Sequence, residues 1–481
     1  MISTKQLIAL GLPKHPIVTP LAMKTVNTAI AEGEDSTELL ERLKALIASP
    51  SSMGEDPLLG PLSAAIILHF PEGIQFRYRE EPAPWKQWGH VNIEESAITQ
   101  MERAVLLPVS VRGALMPDAH TGYGLPIGGV LAVRDAVIPY AVGVDIACRM
   151  RLSVLDMPVS SLVKHRDRLV DAIEAETRFG MGAAFEKHSR RSHAVLDADW
   201  NVSPVTKHLQ GKAETQLGTS GGGNHFVEFG ELHLESPALG LEKGVYLALL
   251  SHSGSRGTGE AVASHYSTLA QELRPNLSHD LKHLAWLDMQ SAEGQEYWAA
   301  MQLMGQYAAA NHELIHQHIL EHLGAERLAM VENHHNFAWK EAYDGEEVIV
   351  HRKGATPAGK GVLGVVPGSM GSPGFVVQGK GNADALNSCS HGAGRLMSRT
   401  AAFNTLDRDE VRAFLEEAGV HLISGGLDEA PAAYKNIHTV MAAQSDLVDI
   451  VARFEPRLVK MAPDEGWAFK RKRGRRKWNN A

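Results

Sequence analysis

The stretch GATPAGKGVLGVVPGSMGSPGFVVQGKG, residues 354–381, contains nine glycines among 28 residues, with short apolar runs between them. Such runs, bounded by glycine and proline, are typical of β-strands joined by tight loops. Glycine-rich backbone also exposes N–H groups that bind anions. Elsewhere, amphipathic spacing predicts helices over residues 161–177, 260–273 and 297–323. The alternation of glycine-rich β segments with helices predicts an α+β fold whose chemistry lies on the loops.

The first 80 residues follow a different pattern. Asp35 and Glu38 have the spacing of a helix capping box, and the apolar residues that follow recur at helical spacing: Leu39, Leu43, Leu46 and Ile47. Ser49-Pro50 ends that predicted helix. We therefore predict a helical extension over residues 1–80, a main domain over 81–462 and a basic tail over 463–481.

The composition excludes several classes of protein. With 44% hydrophobic and 21% charged residues in 481, the chain is neither disordered nor fibrous. No apolar run approaches the ~18 residues of a membrane-spanning helix, and the first residues lack the pattern of a secretion signal. The two cysteines, Cys148 and Cys389, are too few for a disulfide scaffold. These features predict a cytoplasmic protein with reduced thiols.

Charge is distributed unevenly along the chain. The net charge is −9, and seven basic residues lie within residues 470–477, so the rest of the chain carries −16. A basic end on an acidic body predicts a polyanionic partner that is bound at that end. The alternative is a solvated terminus without a partner.

One helical motif points to a different class of enzyme. His312 and His316 belong to an H-E-x-x-H sequence, with His322 where a third zinc ligand would stand, a pattern typical of zinc metallopeptidases. The extended motif needs glycine where this chain has Ile319. A zinc metallopeptidase is therefore the alternative from another class, and a histidine-rich helix surface is the simpler interpretation.

Residues suited to metal binding lie in four short segments beside glycine or serine. Oxygen, sulfur and nitrogen ligands in one set suit a first-row transition metal, and a single thiolate can bridge two ions. The segments are Asp145-Ile146-Ala147-Cys148, Gly223-Asn224-His225, Ser251-His252-Ser253-Gly254 and His334-His335-Asn336.

Two further regions are suited to phosphate chemistry. His391 stands between Ser390 and Gly392 with Arg395 nearby, so its imidazole is unhindered and suited to attack phosphorus. Residues 351–354 and 367–371 offer cations and backbone N–H groups that bind phosphate.

Together these segments resemble the RtcB family of GTP-dependent RNA ligases, which join a 3′-phosphate or 2′,3′-cyclic phosphate end to a 5′-hydroxyl end. The matching segments run in family order from about residue 110 to 460. They are residues 116–120, 142–148, 222–228, 252–257, 335–336, 352–355, 367–371, 390–395 and 433–435.

The resemblance implies an RtcB-like catalytic fold, with mixed sheets and helices around a dinuclear Mn²⁺ site. Cys148 would bridge the two ions. Asp145 and His225 would bind one ion, while His252 and His335 would bind the other.

The resemblance also implies roles in nucleotide chemistry. His391 stands where the family has its guanylylated histidine. The residues implied in binding GTP or its phosphates are Asn224, Glu228, Asn336, Pro367, Gly368, Ser369, Met370, Gly371, Ser390, Gly392, Ala393, Gly394, Arg395 and Lys460.

The implied activity is RNA ligation in RNA repair or tRNA splicing, with GTP as co-substrate, through a guanylylated histidine and an RNA end capped by GMP. The implied partners are RNA with 3′-phosphate and 5′-hydroxyl ends and an archease-type activator. Two alternatives stay open beside the peptidase. One is an enzyme that caps 3′-phosphate ends with GMP without joining them, and the other is a non-catalytic nucleic-acid-binding protein.

Overall fold

The computed structural model describes residues 2–12, 15–70 and 78–464. The basic run at residues 470–477, and with it nearly all of the predicted tail, lies outside the described residues. No helix in the described ranges is both long and apolar enough to cross a membrane.

The described residues form fourteen α-helices, with several short 3₁₀ turns between them. They are Thr4–Ala9 (α1), Val18–Ala31 (α2), Ser36–Ala48 (α3), Gly60–His69 (α4), Glu95–Ala104 (α5), Pro139–Val142 (α6), Ser161–Lys164 (α7), Arg166–Glu176 (α8), Gln210–Gln216 (α9), Arg256–Leu273 (α10), Ala292–Leu323 (α11), Arg399–Thr405 (α12), Arg408–Glu417 (α13) and Ile437–Ala442 (α14).

Seventeen β-strands lie in the same ranges. They are Trp85–Gln87 (β1), Ser110–His120 (β2), Ile127–Val133 (β3), Ala136–Val137 (β4), Arg149–Leu155 (β5), Phe226–Leu234 (β6), Gly244–Ser253 (β7), Leu287–Asp288 (β8), Arg327–His334 (β9), Asn336–Tyr343 (β10), Glu346–Lys353 (β11), Ala355–Pro357 (β12), Leu363–Val366 (β13), Gly374–Gly379 (β14), Ser388–Ser390 (β15), His421–Ser424 (β16) and Val448–Met461 (β17).

The predicted α+β class is confirmed, and the predicted helices exist with small differences. Helices α10 and α11 begin four and five residues before their predicted starts. The predicted helix over 161–177 is divided into α7 and α8, because His165 leaves the helical conformation with φ −128° and ψ 29°.

The N-terminal helices have a hydrophobic core of their own. Asp35 caps α3 by accepting hydrogen bonds from the N–H groups of Thr37 and Glu38, at 2.9 and 3.2 Å. The helix ends at Ala48, before Ser49-Pro50, as the sequence predicts. Its apolar face packs against α1, α2 and α4, in a cluster that includes Leu7, Val18, Ala22, Val26, Leu39, Leu43, Leu46, Leu59, Leu62 and Ile66.

Two large sheets form the body of the molecule. One has five strands in the order β1-β2-β3-β11-β10. The other has eight, in the order β13-β14-β17-β6-β7-β5-β9, with β16 pairing with the C-terminal part of β17. The eight-stranded sheet curls, since its first strand, β13, comes into contact with its last, β9.

The 32-residue helix α11 joins the cores of the two sheets. Its first half, with Tyr297, Met304 and Tyr307, packs in the cluster that covers the five-stranded sheet. Its second half, with Ile315 and Ile319, packs on the eight-stranded sheet. A helix of this length measures about 48 Å, enough to span both cores and to fix one sheet against the other.

The core of the N-terminal helices generates the first prediction. Leu43 is 1% exposed, and Leu43→Ala should cost that core about 2–5 kcal/mol through lost burial and a cavity. In differential scanning calorimetry we expect a transition of these helices to move to lower temperature while the main transition stays in place. Glu41→Ala, on an exposed position of the same helix, is the control. A shift of the main transition in Leu43→Ala would contradict an independent core.

Candidate active site

A cleft of about 410 Å³ is lined by residues from both large sheets and from the loops at their strand ends. The ends of neighbouring strands bring its central side chains together. Cys148 directly precedes β5, His225 directly precedes β6, His252 is near the end of β7, and His335 separates β9 from β10. Since these strands are neighbours in the order β6-β7-β5-β9, four segments distant in sequence meet at one edge.

The meeting point is a group of metal-ligand atoms. Cys148 Sγ lies 3.3 Å from His225 Nε2 and 3.1 Å from His252 Nε2. His225 Nε2 is 3.0 Å from Asp145 Oδ2, and His252 Nε2 is 3.1 Å from His335 Nε2. Asp145 is therefore next to the thiol's neighbour His225 and His335 is next to its neighbour His252, so oxygen, sulfur and nitrogen donors lie side by side.

The chemistry of these donors fits a transition metal. The Nδ1 atom of His252 is 3.0 Å from the carbonyl oxygen of Asn224, so it carries the hydrogen and leaves the Nε2 lone pair toward Cys148. His335 Nδ1 is buried and has no hydrogen-bond partner among the residues that the structure describes. The ligand atoms of Cys148, His225 and His252 all lie within 4.8 Å of one another. These residues form a candidate metal-binding cluster.

The electrostatics of the cluster favour a bound cation. Burial, followed by the Asp145 carboxylate, raises the pKa of the Cys148 thiol well above its usual range. Burial lowers the pKa of His252 to about 3, and it lowers the pKa of His335 well below its usual value. The imidazoles of His252 and His335 are thus neutral ligands, and a divalent ion would supply positive charge that ionises the thiol.

Asp145 is held in place by its surroundings. Burial acts to raise the pKa of this carboxyl, but His225 and Arg256 outweigh burial and keep it below its usual value. Oδ1 accepts a hydrogen bond of 3.1 Å from the N–H of Ser255. Gly254 is required beside it, because a Cβ atom there would lie 2.3 Å from Oδ1.

His391 lies next to the cluster, with its ring centre 5.0 Å from that of His335. Its Nδ1 is 2.6 Å from Asp118 Oδ2, and its backbone N–H donates to the same oxygen at 3.1 Å. A carboxylate only accepts, so Nδ1 carries the hydrogen and Nε2 has a free lone pair. Burial acts to raise the pKa of Asp118, but His391 and Lys435 outweigh it and hold that pKa below its usual value.

Most of the other predicted nucleotide residues line the same cleft. Those that do are Asn224, Glu228, Asn336, Pro367, Gly368, Ser369, Met370, Gly392, Ala393, Gly394 and Arg395. Burial raises the pKa of Glu228 well above its usual value, which favours the neutral acid, a hydrogen-bond donor. Gly371 and Ser390 are not among the residues that line the cleft.

Lys460 points away from the cleft. Its neighbours on β17, Val459 and Met461, both line the cleft, and successive side chains of a strand project to opposite faces. The Lys460 ammonium pairs with Glu174 and lies 5.1 Å from the centre of the Phe179 ring.

Several residues that line the cleft are not among the site residues predicted from the sequence. Asp118 was part of a matching segment, yet its contact with His391 spans 273 positions. Burial lowers the pKa of Lys353 to about 7, and its ammonium donates to the carbonyl of Tyr123 at 2.5 Å. The remaining unassigned lining residues include Arg399, Glu429, Tyr434 and Tyr140. The position of Lys353 in the matching segment 352–355 is the feature of the sequence that could have indicated it as a site residue.

His312 and His316 of the H-E-x-x-H motif lie in the protein interior, so the interpretation of the motif as a histidine-rich helix surface is wrong for these two residues. His312 Nδ1 is 2.7 Å and His316 Nε2 is 2.9 Å from the hydroxyl of Ser251. His316 Nδ1 contacts the hydroxyl of Ser153 at 2.8 Å, and both rings are buried. These two histidines contact Ser251 on the strand that carries His252. His322 is not part of this contact and pairs with Glu176 instead.

A candidate set of transition-metal ligands beside an oriented imidazole, in one cleft, is an arrangement suited to phosphoryl or nucleotidyl transfer. A sequence model described as "tRNA-splicing ligase RtcB" matches residues 100–205 and 198–461. The chain belongs to the RtcB family, which confirms the family and the enzyme class, RNA ligase, predicted from the motifs.

Individual relatives agree with the family assignment. The RNA-splicing ligase RtcB of Escherichia coli K12 is 34% identical over 417 residues, which cover 77% of this chain and 95% of the relative. The tRNA-splicing ligase RtcB of Nanoarchaeum equitans is 32% identical, covering 76% of this chain and 91% of the relative. That of Thermococcus kodakarensis is 30% identical, covering 76% and 90%.

Metal binding by the cluster is testable with Cys148→Ser. A serine hydroxyl stays protonated near neutral pH where a metal-bound thiol does not, so affinity should fall at least about 10-fold. With Co²⁺ as the probe, the wild-type protein should show a sulfur-to-metal charge-transfer band that the variant lacks. Cys389→Ser, at the other buried cysteine, should keep the band. An unchanged band and stoichiometry in Cys148→Ser would rule out the thiolate as a ligand.

The buried pair His312 and His316 predicts a pH dependence of stability. Burial lowers the pKa of both well below 6.5, so below pH 6.5 the unfolded chain binds protons that the folded chain does not. Stability is therefore lost as the pH falls, by about 1.4 kcal/mol per pH unit for each histidine.

His316→Gln should reduce that slope by about 1.4 kcal/mol per pH unit in urea unfolding measured between pH 5 and 6.5. His279→Gln, at a side chain that is 86% exposed, is the control and should leave the slope unchanged. An unaltered slope in His316→Gln would contradict a neutral buried imidazole.

Proposed function

We propose that the chain is a GTP- and Mn²⁺-dependent ligase that joins RNA 3′-phosphate or 2′,3′-cyclic phosphate ends to 5′-hydroxyl ends in RNA repair or tRNA splicing. The observation that carries the proposal is the Asp118–His391 pair beside the Cys148 cluster in one cleft. It provides a nucleophile with a free Nε2 next to ligands for cations that neutralise phosphate. The names of the relatives support RNA as the substrate.

The metal ions have a defined place in this proposal. Asp145, Cys148, His225, His252 and His335 would hold them, with Cys148 between the two. When bound, two Mn²⁺ ions would neutralise and orient the phosphates of the substrates.

The nucleophile acts first. His391 Nε2 forms a bond with the α-phosphorus of GTP, the bond from that phosphorus to the bridging oxygen breaks, and pyrophosphate leaves. Asp118 keeps the hydrogen on Nδ1 and stabilises the positive charge that the ring acquires. The glycine-rich backbone at Pro367 and Gly368 lines the cleft where phosphate oxygens need donors.

The later steps transfer GMP to the RNA. An oxygen of the RNA 3′-phosphate attacks the same phosphorus, the nitrogen–phosphorus bond breaks, and the RNA end carries GMP through a pyrophosphate linkage. The 5′-hydroxyl oxygen then forms a bond with the phosphorus of the RNA 3′-phosphate and its proton passes to solvent, while the bond from that phosphorus to the bridging oxygen breaks and GMP leaves. A 2′,3′-cyclic phosphate end is first opened by water.

The basic side chains around the cleft suit polyanionic substrates. Arg395 is held by the Asp428 carbonyl at 2.7 Å and by Glu429 at 3.2 Å, so its guanidinium has a fixed position at the cleft. Lys353, with a pKa of about 7, gains its proton readily next to phosphate. The free thiols Cys148 and Cys389 support the cytoplasm as the compartment. The archease-type activator stays a prediction from the family.

The proposed nucleophile is tested with α-labelled GTP and Mn²⁺. His391→Ala should form no covalent GMP adduct while still binding metal, and Asp118→Asn should form the adduct about 100-fold more slowly, since an amide cannot stabilise the charged ring. Label that survives in His391→Ala, or that maps to another residue, would disprove the assignment.

An RNA with a 5′-hydroxyl end, added as the acceptor, distinguishes a ligase from a capping enzyme. Wild-type protein given a 3′-phosphate RNA and a 5′-hydroxyl RNA should yield a joined product. RNA that accumulates with a GMP cap, and is not joined when the 5′-hydroxyl strand is present, would favour the capping enzyme.

A further inference from the structure

The aromatic side chains on one wall of the cleft have no role in the steps above. The predicted nucleotide residues Glu228 and Pro367 come from the eight-stranded sheet and its β13–β14 loop. A second wall includes Thr121 and Tyr123 from the β2–β3 loop, Tyr140 from α6 and Lys353 from β11.

Three aromatic rings cluster on that wall. The Tyr123 ring centre lies 6.1 Å from that of Tyr140 and 5.7 Å from that of His283, both in edge-to-face contact. Tyr140 and His283 are 4.7 Å apart beneath it. Tyr123 is 66% exposed although it lines the cleft, so one side of its ring is open.

The loop that carries Tyr123 is fixed by hydrogen bonds on both sides. Gln100 accepts from the N–H of Gly122 at 3.1 Å and donates to its carbonyl at 2.5 Å. Lys353 donates to the carbonyl of Tyr123 itself. Gly124 has φ +71°, and a Cβ atom there would lie 2.7 Å from the His283 carbonyl oxygen. The exposed ring therefore stands on a pre-organised backbone.

The loop is also close to the nucleophile. Lys353, which holds Tyr123, is followed by Gly354, and a Cβ atom on Gly354 would lie 3.2 Å from His391 Cε1. Tyr123 therefore lines the same cleft as His391 and is linked to it through Lys353 and Gly354.

We propose that Tyr123 is a stacking platform for the base of the RNA nucleotide that carries the 3′-phosphate. The proposal rests on the proposed function and names a subsite for its RNA substrate. Every base has a π face, so an aromatic ring that offers stacking holds an RNA end without selecting its sequence. Tyr140 and His283 support the ring from below, and the fixed loop reduces the entropy lost on binding.

The test measures binding of two fluorescein-labelled RNAs by anisotropy, in the presence of Mn²⁺ and without GTP. Both end in a 3′-phosphate, and one lacks the terminal base. Tyr123→Ala should weaken binding of the complete RNA about 10-fold, and Tyr123→Phe should retain it. The abasic RNA should bind wild type and Tyr123→Ala equally. Phe403→Ala, at a ring that is 47% exposed on α12, is the control and should change neither affinity.

Three results would overturn the proposal. Unchanged binding of the complete RNA by Tyr123→Ala is the first, and an equal loss for both RNAs, which indicates a general disturbance of the loop, is the second. The third is a raised KM for GTP in adduct formation, which would assign the ring to guanine. Failure of the proposed function is distinguishable, because it appears as a wild-type protein that forms no GMP adduct without any RNA present.

Discussion

The contact of one buried thiol with two imidazoles determines how the rest of this molecule is organised. Cys148, His225 and His252 are brought within reach of each other only because β5, β6 and β7 are neighbours whose ends align. Burying neutral imidazoles, a thiol and a carboxylate in one place is costly unless a cation compensates. The eight-stranded sheet is therefore the support of a site that divalent metal would complete.

The layers behind the cluster keep it rigid. Helix α11 packs on the cores of both sheets, and its His312 and His316 hold Ser251, the neighbour of His252. The two histidines of a motif that is typical of zinc peptidases thus have a structural role, in hydrogen bonds to a strand of the sheet. Asp118, near the end of β2, contacts His391 after β15, so His391 is oriented by the five-stranded sheet, while the residues of the candidate metal cluster come from the other sheet.

Residue chemistry and local spacing made the main elements of this fold predictable. The Asp35 cap and the apolar spacing behind it located α3, and the mixture of Asp, Cys and His in glycine-flanked segments indicated the cluster. Contacts between residues that are far apart in the sequence could not be predicted in this way. Nothing near Asp118 in sequence indicates His391, and the face of β17 to which Lys460 belongs depends on strand register. The position of the exposed Tyr123 in the cleft depends on the fold and cannot be predicted from the sequence around it.

In the function proposed for this chain, Cys148 would be a ligand shared by two metal ions beside His391. The most direct measurement is a crystal structure of the protein with Mn²⁺, using anomalous diffraction to locate the metal. The account predicts two anomalous peaks that share Cys148 Sγ, one also next to Asp145 and His225 and the other next to His252 and His335. A single peak, or peaks that do not contact Cys148, would contradict it.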